Sequence, residues 1–132
     1  MTEHMTATNG QERMVPHFEI TDIDGERVRY ADLWQHRNLV YVNLDPLSLS
    51  DTRQYVRELV ARAPEFANAE TALVISTERV DGLPSPGVAI ADRWGEVIAA
   101  RELNAKASPP AVDELLEWIT FVQEQCPECP PK

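Results

Sequence analysis

The residues best suited to chemistry in this chain are two cysteines, Cys126 and Cys129, in the C-terminal stretch CPECPPK. A Cys-x-x-Cys pair can close a disulfide, supply half of a metal site, or serve only as structure. Here the pair follows the C-terminus of a predicted helix. The negative end of the helix dipole, together with Glu124 and Glu128, disfavours the reactive thiolate. Three interpretations stay open: an inert or structural tail, a redox pair, and metal ligands.

The metal interpretation requires a second copy of the chain. A structural zinc site takes four ligands, and the sequence has only two cysteines and three histidines, all of the latter within its first 36 residues. Two chains joined tail to tail would supply four thiolates. Zinc bound by Cys126 and Cys129 and a homodimer are therefore a single hypothesis, and without that dimer we expect no cofactor.

Length and composition indicate one acidic globular domain. The chain has 132 residues, of which 43% are hydrophobic and 26% charged, and a chain of this size can bury a core without disulfides or metals. A net charge of −10 disfavours nucleic acid and anionic membrane surfaces as partners. No apolar run approaches the roughly 20 residues of a membrane span, and the N-terminus lacks the apolar segment of a signal peptide. We expect a cytoplasmic protein with a protein partner.

The first half of the chain predicts a hairpin and then a strand–helix–strand unit. Residues 1–14 are polar and aperiodic, which indicates a flexible N-terminal tail. Alternating apolar residues around Asp24-Gly25 predict a hairpin, closed by a helical turn at residues 31–34. Apolar runs at residues 39–44 and 72–76 predict strands buried on both faces. Because a helix separates them, the two strands should be parallel.

The helix between those strands has clear sequence signals at both ends. Asp51 and Gln54 have the spacing of a capping box, and Pro64 should end the helix. Its apolar positions recur at helical spacing: Tyr55, Val56, Leu59, Val60 and Ala63.

The second half predicts a loop at residues 78–85, a hairpin of strands 87–91 and 96–100, and a last helix. Ser108 should cap that helix, which starts at Pro109-Pro110. Trp118 and Phe121 lie beside its apolar stripe, and we interpret them as part of a wide core face, with a partner surface as the alternative. The folded domain spans residues 15–125, and residues 126–132 form a C-terminal CPEC tail. The stripe itself consists of Val112, Leu115, Leu116, Ile119 and Val122.

A βαβ unit followed by a ββα unit resembles the thioredoxin-like fold, and three segments resemble its redoxin branch, which includes alkyl hydroperoxide reductases, thiol-specific antioxidant proteins and peroxiredoxins. Val15-Pro16-His17-Phe18, with the turns at Asp24-Gly25 and Asp32-Leu33, resembles the opening of that branch. Leu39–Asp45 resembles its first core strand. Pro86 followed by GVAIADRWGEV resembles its loop proline and second hairpin.

The resemblance covers about residues 15–125 and implies an α/β fold. A central mixed β-sheet would be flanked by helices and preceded by an N-terminal β-hairpin. It also implies that the Ser85-Pro86 peptide bond is cis.

The chain departs from this branch where the nucleophilic cysteine is expected. The segment Asn38–Arg53, NLVYVNLDPLSLSDTR, contains none. Aligned as a Cys-x-x-Cys motif, the two positions fall near Leu49 and Thr52; aligned as a peroxiredoxin motif, they fall on Ser50 and Arg53. A peroxidatic cysteine reacts as a thiolate, and a serine hydroxyl cannot replace it. We expect no peroxidase activity at this site.

We therefore expect a degenerate redoxin-like domain that acts as a protein-interaction or accessory redox factor. The resemblance implies that it binds extended peptide backbone beside Pro86. The alternative is a dithiol–disulfide oxidoreductase that uses the redox pair Cys126 and Cys129, and a second alternative is the metal-linked dimer. The partner-binding edge would consist of Leu47, Ser48, Ser50, Ser85 and Pro86.

Overall fold

The computed structural model describes residues 6–7, 14–45, 47, 49–103 and 109–124. Of residues 6–7 and 49–51, only the backbone is described. The elements in chain order are β1 (Thr6–Ala7), β2 (Glu19–Thr21), β3 (Arg27–Arg29), α1 (Tyr30–Leu33), β4 (Asn38–Asn43), α2 (Leu49–Ala61), α3 (Ala63–Asn68), β5 (Thr71–Ser76), β6 (Gly87–Ala91), β7 (Val97–Glu102) and α4 (Val112–Glu124).

Five strands form one mixed sheet in the order β1-β7-β6-β4-β5. Strands β4 and β5 are parallel, with Asn43 opposite Ser76 at their C-terminal ends. Strand β6 runs antiparallel to β4 and begins at the same edge, where Gly87 lies opposite Asn43. Strands β2 and β3 form a separate antiparallel hairpin. The predicted mixed sheet with helices and an N-terminal hairpin is confirmed.

The two faces of the sheet are covered by different kinds of structure. Side chains of β4 alternate between them: Val40 and Val42 contribute to the core cluster that contains α2, α3 and α4. Leu39 and Tyr41 contribute to the opposite cluster, which contains the hairpin and the loop before β6. Because both faces of β4 are buried, its sequence is a nearly continuous apolar run.

Both hairpins use the same turn, Asp-x-x-Gly-Glu. In the first, Asp22 Oδ1 accepts hydrogen bonds from the backbone N–H groups of residues 24 and 26, both at 2.9 Å. In the second, Asp92 Oδ1 accepts from residues 94 and 96, both at 3.0 Å. The glycine at the fourth position has φ of 85° and 88° respectively, a conformation that glycine adopts without a steric penalty.

The boundaries predicted for the first long helix are wrong at both ends. It begins at Leu49, so Asp51 is its third residue; Ser48, Ser50 and Asp51 are all residue types that cap helices, and the sequence does not rank them. It ends at Ala61, and Pro64 lies in the first turn of a second helix, α3. Proline fits that position because its missing N–H would be unpaired there anyway.

One burial expectation also fails. Val60 is 55% exposed, because α3 packs on β5 and its fully buried Phe66 completes that part of the core. Residues 6–7, inside the predicted flexible tail, form a strand that pairs with β7. An edge strand offers unpaired backbone groups, and this short segment satisfies some of those on β7.

Gly87 gives a test of the packing at the start of β6. A Cβ added there would overlap Pro84 Cβ and would lie 2.9 Å from the carbonyl oxygens of Pro84 and Arg101. We expect Gly87→Ala to lower the free energy of unfolding by about 3 kcal/mol, the upper part of the range for overpacking. Gly25→Ala is the control, since it has open space but a φ of 85°, and should cost about 1 kcal/mol. Urea denaturation measures both, and an equal or smaller loss at Gly87 would contradict this packing.

Candidate functional site

The candidate site is the edge of the sheet where β4 ends and β6 begins. We call it the Pro86 edge and define it by Asp45, Leu47, Ser85 and Pro86. The Oγ of Ser85 donates a hydrogen bond to the Asp45 carbonyl at 3.0 Å, which joins the two segments. The Pro86 carbonyl accepts from the Leu103 N–H at 2.9 Å. The Ser85-Pro86 bond is cis, as the resemblance implied.

The loop that leads to this edge is held by buried polar side chains of the sheet. The Glu78 carbonyl accepts hydrogen bonds from Tyr41 Oη at 2.9 Å and from Asn43 Nδ2 at 3.0 Å. Both donors lie on β4 and are at most 1% exposed. A buried donor left without a partner costs about 1–3 kcal/mol, so the loop must deliver an acceptor to this point.

A second set of bonds ties the same loop to the N-terminal hairpin. The buried Ser76 Oγ donates to the Thr21 carbonyl at 2.7 Å and accepts from the Glu78 N–H at 3.0 Å. The Glu78 Oε2 accepts from the Thr21 N–H at 2.8 Å. We call these residues the Glu78 bracket: Thr21, Tyr41, Asn43, Ser76 and Glu78. They fix the position of the loop against both the sheet and the hairpin.

Two apolar side chains of the loop add packing to these polar contacts. Val80 and Leu83 are buried in the core cluster on the hairpin face. These two side chains therefore cover the sheet at a place where a helix could otherwise lie. The loop reaches Ser85 without forming a helix.

The backbone of Ser85 is available for a further hydrogen bond. Within the described parts of the chain, neither its N–H nor its carbonyl has a backbone partner. Its side chain is only partly buried, as are those of Pro86 and Leu47. Leu47 packs against the core on the helix face. The edge thus combines unpaired backbone groups with partly accessible apolar surface.

Of the five residues predicted for the partner-binding edge, the structure describes the side chains of Leu47, Ser85 and Pro86, and a hydrogen bond joins Ser85 to Asp45, two residues before Leu47. Ser50 is the second residue of α2, where only the backbone is described, and Ser48 lies outside the described residues. Cys126 and Cys129 also lie outside them. Their role as a redox pair, or as zinc ligands across a homodimer, stays a prediction.

The bracket residues were not predicted from the sequence as part of the site. Asn43 and Ser76 each end an apolar strand that is buried on both faces. A polar residue at that position needs a hydrogen-bond partner, and this signal could have identified them. It could not have named the carbonyl of Glu78 as the acceptor, since that depends on the path of the loop.

The described residues hold neither a metal-binding cluster nor a membrane-spanning helix. Among them, no three His, Cys, Asp or Glu side chains converge in a way that could hold a metal ion. None of the helices in the same part of the chain is long and apolar enough to cross a bilayer.

Comparison with known proteins identifies the architecture. The chain is similar in structure to the mitochondrial 2-Cys peroxiredoxin of Plasmodium falciparum, with a TM-score of 0.56, 12% identity, and coverage of 83% of this chain and 92% of that one. It is similar to thioredoxin peroxidase I of Plasmodium yoelii, with a TM-score of 0.54, 15% identity and coverage of 92% and 98%. The chain has the thioredoxin-like fold.

A thioredoxin-like protein from Bacteroides vulgatus is a further match, with a TM-score of 0.51, 14% identity and coverage of 94% and 95%. No model of a protein family matches the sequence, and no curated protein matches it significantly. At these identities, the likeness establishes the thioredoxin-like fold alone.

Tyr41 gives a pH-dependent test of the Glu78 bracket. Burial raises the pKa of Tyr41 to about 12, with the neighbouring Glu78 carboxylate adding to the shift and a hydrogen bond with Ser76 opposing it. Burial likewise raises the pKa of Tyr30 to about 12. Above pH 10 an unfolded tyrosine ionises while these two stay neutral, so unfolding releases protons. The free energy of unfolding should fall as the pH rises from 10 to 12.

Tyr41→Phe should make that fall shallower and should lower stability at neutral pH by about 1 kcal/mol, the value of one hydrogen bond. Urea denaturation of both proteins from about pH 8 to about pH 11.5 measures the two slopes. A wild-type stability that is constant over this range, or equal slopes in the two proteins, would show that Tyr41 is not held as described.

Proposed function

We propose that this thioredoxin-like domain is a protein-interaction or accessory redox factor that binds extended peptide segments at the Pro86 edge. The observation that carries the proposal is the Ser85 backbone, for which the described residues supply no backbone hydrogen-bond partner. An extended peptide could pair with that N–H and carbonyl as a strand pairs with a sheet edge, and its side chains would contact Leu47 and Pro86.

The absence of a thiol from residues 38–53 supports binding rather than peroxide reduction. Peroxide reduction needs a thiolate nucleophile, and no other side chain in that segment is as reactive towards peroxides. The same edge can hold a peptide without any covalent step, because backbone pairing and apolar contact depend on geometry alone.

The Glu78 bracket supports the proposal energetically. Ordering a loop on binding consumes part of the interaction free energy. Here Tyr41, Asn43 and Ser76 already order the loop in the free protein, so a peptide would not have to supply that free energy. A preorganised edge of this kind can bind a short segment with useful affinity.

The proposal is tested with peptides selected from a random library. The bait is the full chain with Cys126→Ser and Cys129→Ser, so that thiol chemistry cannot contribute. We expect the selected peptides to bind about tenfold more weakly to Leu47→Ser, since loss of a partly buried leucine contact costs about 1.5 kcal/mol. Val60→Ser, which removes an exposed apolar side chain of α2, should change affinity by less than about twofold.

Amide chemical shifts locate the bound peptide. Perturbations should centre on residues 44–47 and 83–87. Peptides that bind elsewhere, or whose affinity is equal in the Leu47 and Val60 variants, would contradict the proposal. If the bait without cysteines selects no peptide and the protein with Cys126 and Cys129 intact reduces a disulfide substrate, the dithiol alternative takes its place.

A further inference from the structure

Helix α4 presents a second stripe of residues beside the one that it buries. Its buried residues are Val112, Leu115, Ile119 and Val122. A neighbouring set recurs at the spacing i, i+3, i+4, i+7 and lines a shallow cavity of about 430 Å³. We call this set the α4 aromatic face, and it consists of Glu114, Glu117, Trp118 and Phe121.

The aromatic pair on this face extends beyond what the core requires. Trp118 is partly buried and packs against the core, whereas Phe121 is 48% exposed. Their ring centroids are 5.9 Å apart in an edge-to-face arrangement, a favourable geometry for two aromatic rings. The interpretation of Phe121 as a core residue is therefore wrong, and Trp118 supports an exposed ring.

The charge on α4 limits what could cover that ring. The helix carries Asp113, Glu114, Glu117 and Glu124 and has no lysine or arginine. Arg62, which lies between α2 and α3, forms an ion pair with Asp113 at 2.9 Å. Within the described parts of the chain, Glu117 and Glu124 form no ion pair. Two copies of this face would repel each other, so a symmetric homodimer through it is disfavoured.

We propose that the α4 aromatic face binds a basic amphipathic helix of a partner protein. The four residues span two helical turns, which is the length of surface that an apolar stripe on another helix can cover. An aliphatic side chain of the partner would lie on Phe121, and its lysine or arginine side chains would face Glu117. This site is distinct from the Pro86 edge and does not depend on the function proposed for it.

The test uses an 18-residue peptide of leucine and lysine with all leucines on one helical face, at physiological salt. Its control is the same peptide with glutamate in place of every lysine. Anisotropy of the labelled peptide gives the Kd. We expect Phe121→Ser to weaken binding about tenfold, as for an aromatic contact at the centre of an interface. Glu117→Gln should weaken it about threefold, as for one charge at a rim.

Matched variants distinguish binding at this face from nonspecific binding to exposed apolar or acidic side chains elsewhere. Val60→Ser removes another exposed apolar side chain and Glu26→Gln another exposed carboxylate, and each should change the Kd by less than about twofold. Equal affinity for the glutamate peptide, or unchanged binding by Phe121→Ser, would overturn the proposal. So would self-association of the protein that Phe121→Ser abolishes, because the occupant would then be a second copy.

Discussion

Two buried side chains of β4 donate hydrogen bonds to the backbone carbonyl of Glu78, and this interaction determines how the loop before β6 is arranged. Tyr41 and Asn43 are two buried hydrogen-bond donors on β4. Ser76, at the end of β5, is a third buried polar group, and it donates to Thr21 of the hairpin. None of these groups can reach water without disrupting the core, and each would destabilise the fold if left unpaired. The observed position of the loop satisfies all of them.

That constraint explains how the fold presents an ordered edge with little secondary structure around it. The loop buries only two apolar side chains, Val80 and Leu83, which is little compared with an amphipathic helix. The polar contacts supply the remaining specificity and connect the sheet to the hairpin through Thr21. With the loop fixed in this way, the Ser85 side chain reaches the carbonyl of Asp45.

A site of this kind would let a thioredoxin-like domain bind a peptide without a thiol. In peroxide chemistry the reactive group carries the activity, and the edge only holds the substrate. Binding depends on the edge itself. The segment 38–53 contains no thiol, and pairing with the backbone of Ser85 or packing on Leu47 requires none.

Much of the fold could be predicted from the sequence because local signals and burial agreed. Runs buried on both faces predicted β4 and β5, and the Asp-x-x-Gly turns fixed both hairpins. The errors arose where several local signals competed, as at the start of α2, or where tertiary packing decided, as for Val60 and Phe121. The side chains that fill a core can come from a neighbouring element, and the periodicity of one helix does not identify that element.

The candidate site was predictable only in part, for a related reason. The resemblance to redoxins led to Ser85, Pro86 and Leu47. The Glu78 bracket that holds them depends on the position of the Glu78 carbonyl. Because every residue has a backbone carbonyl, the sequence does not indicate which one accepts these hydrogen bonds. Asn43 and Ser76 were visible as polar ends of buried strands, but their shared partner became apparent only in three dimensions.

Hydrogen exchange at the Ser85 amide tests whether this backbone is free to pair with a peptide. We expect rapid exchange of this amide in the free protein, slow exchange of the Leu103 amide that donates to the Pro86 carbonyl, and protection of Ser85 once a selected peptide is bound. Slow exchange at Ser85 in the free protein, or no added protection in the complex, would show that this backbone is already paired and is not where a peptide binds.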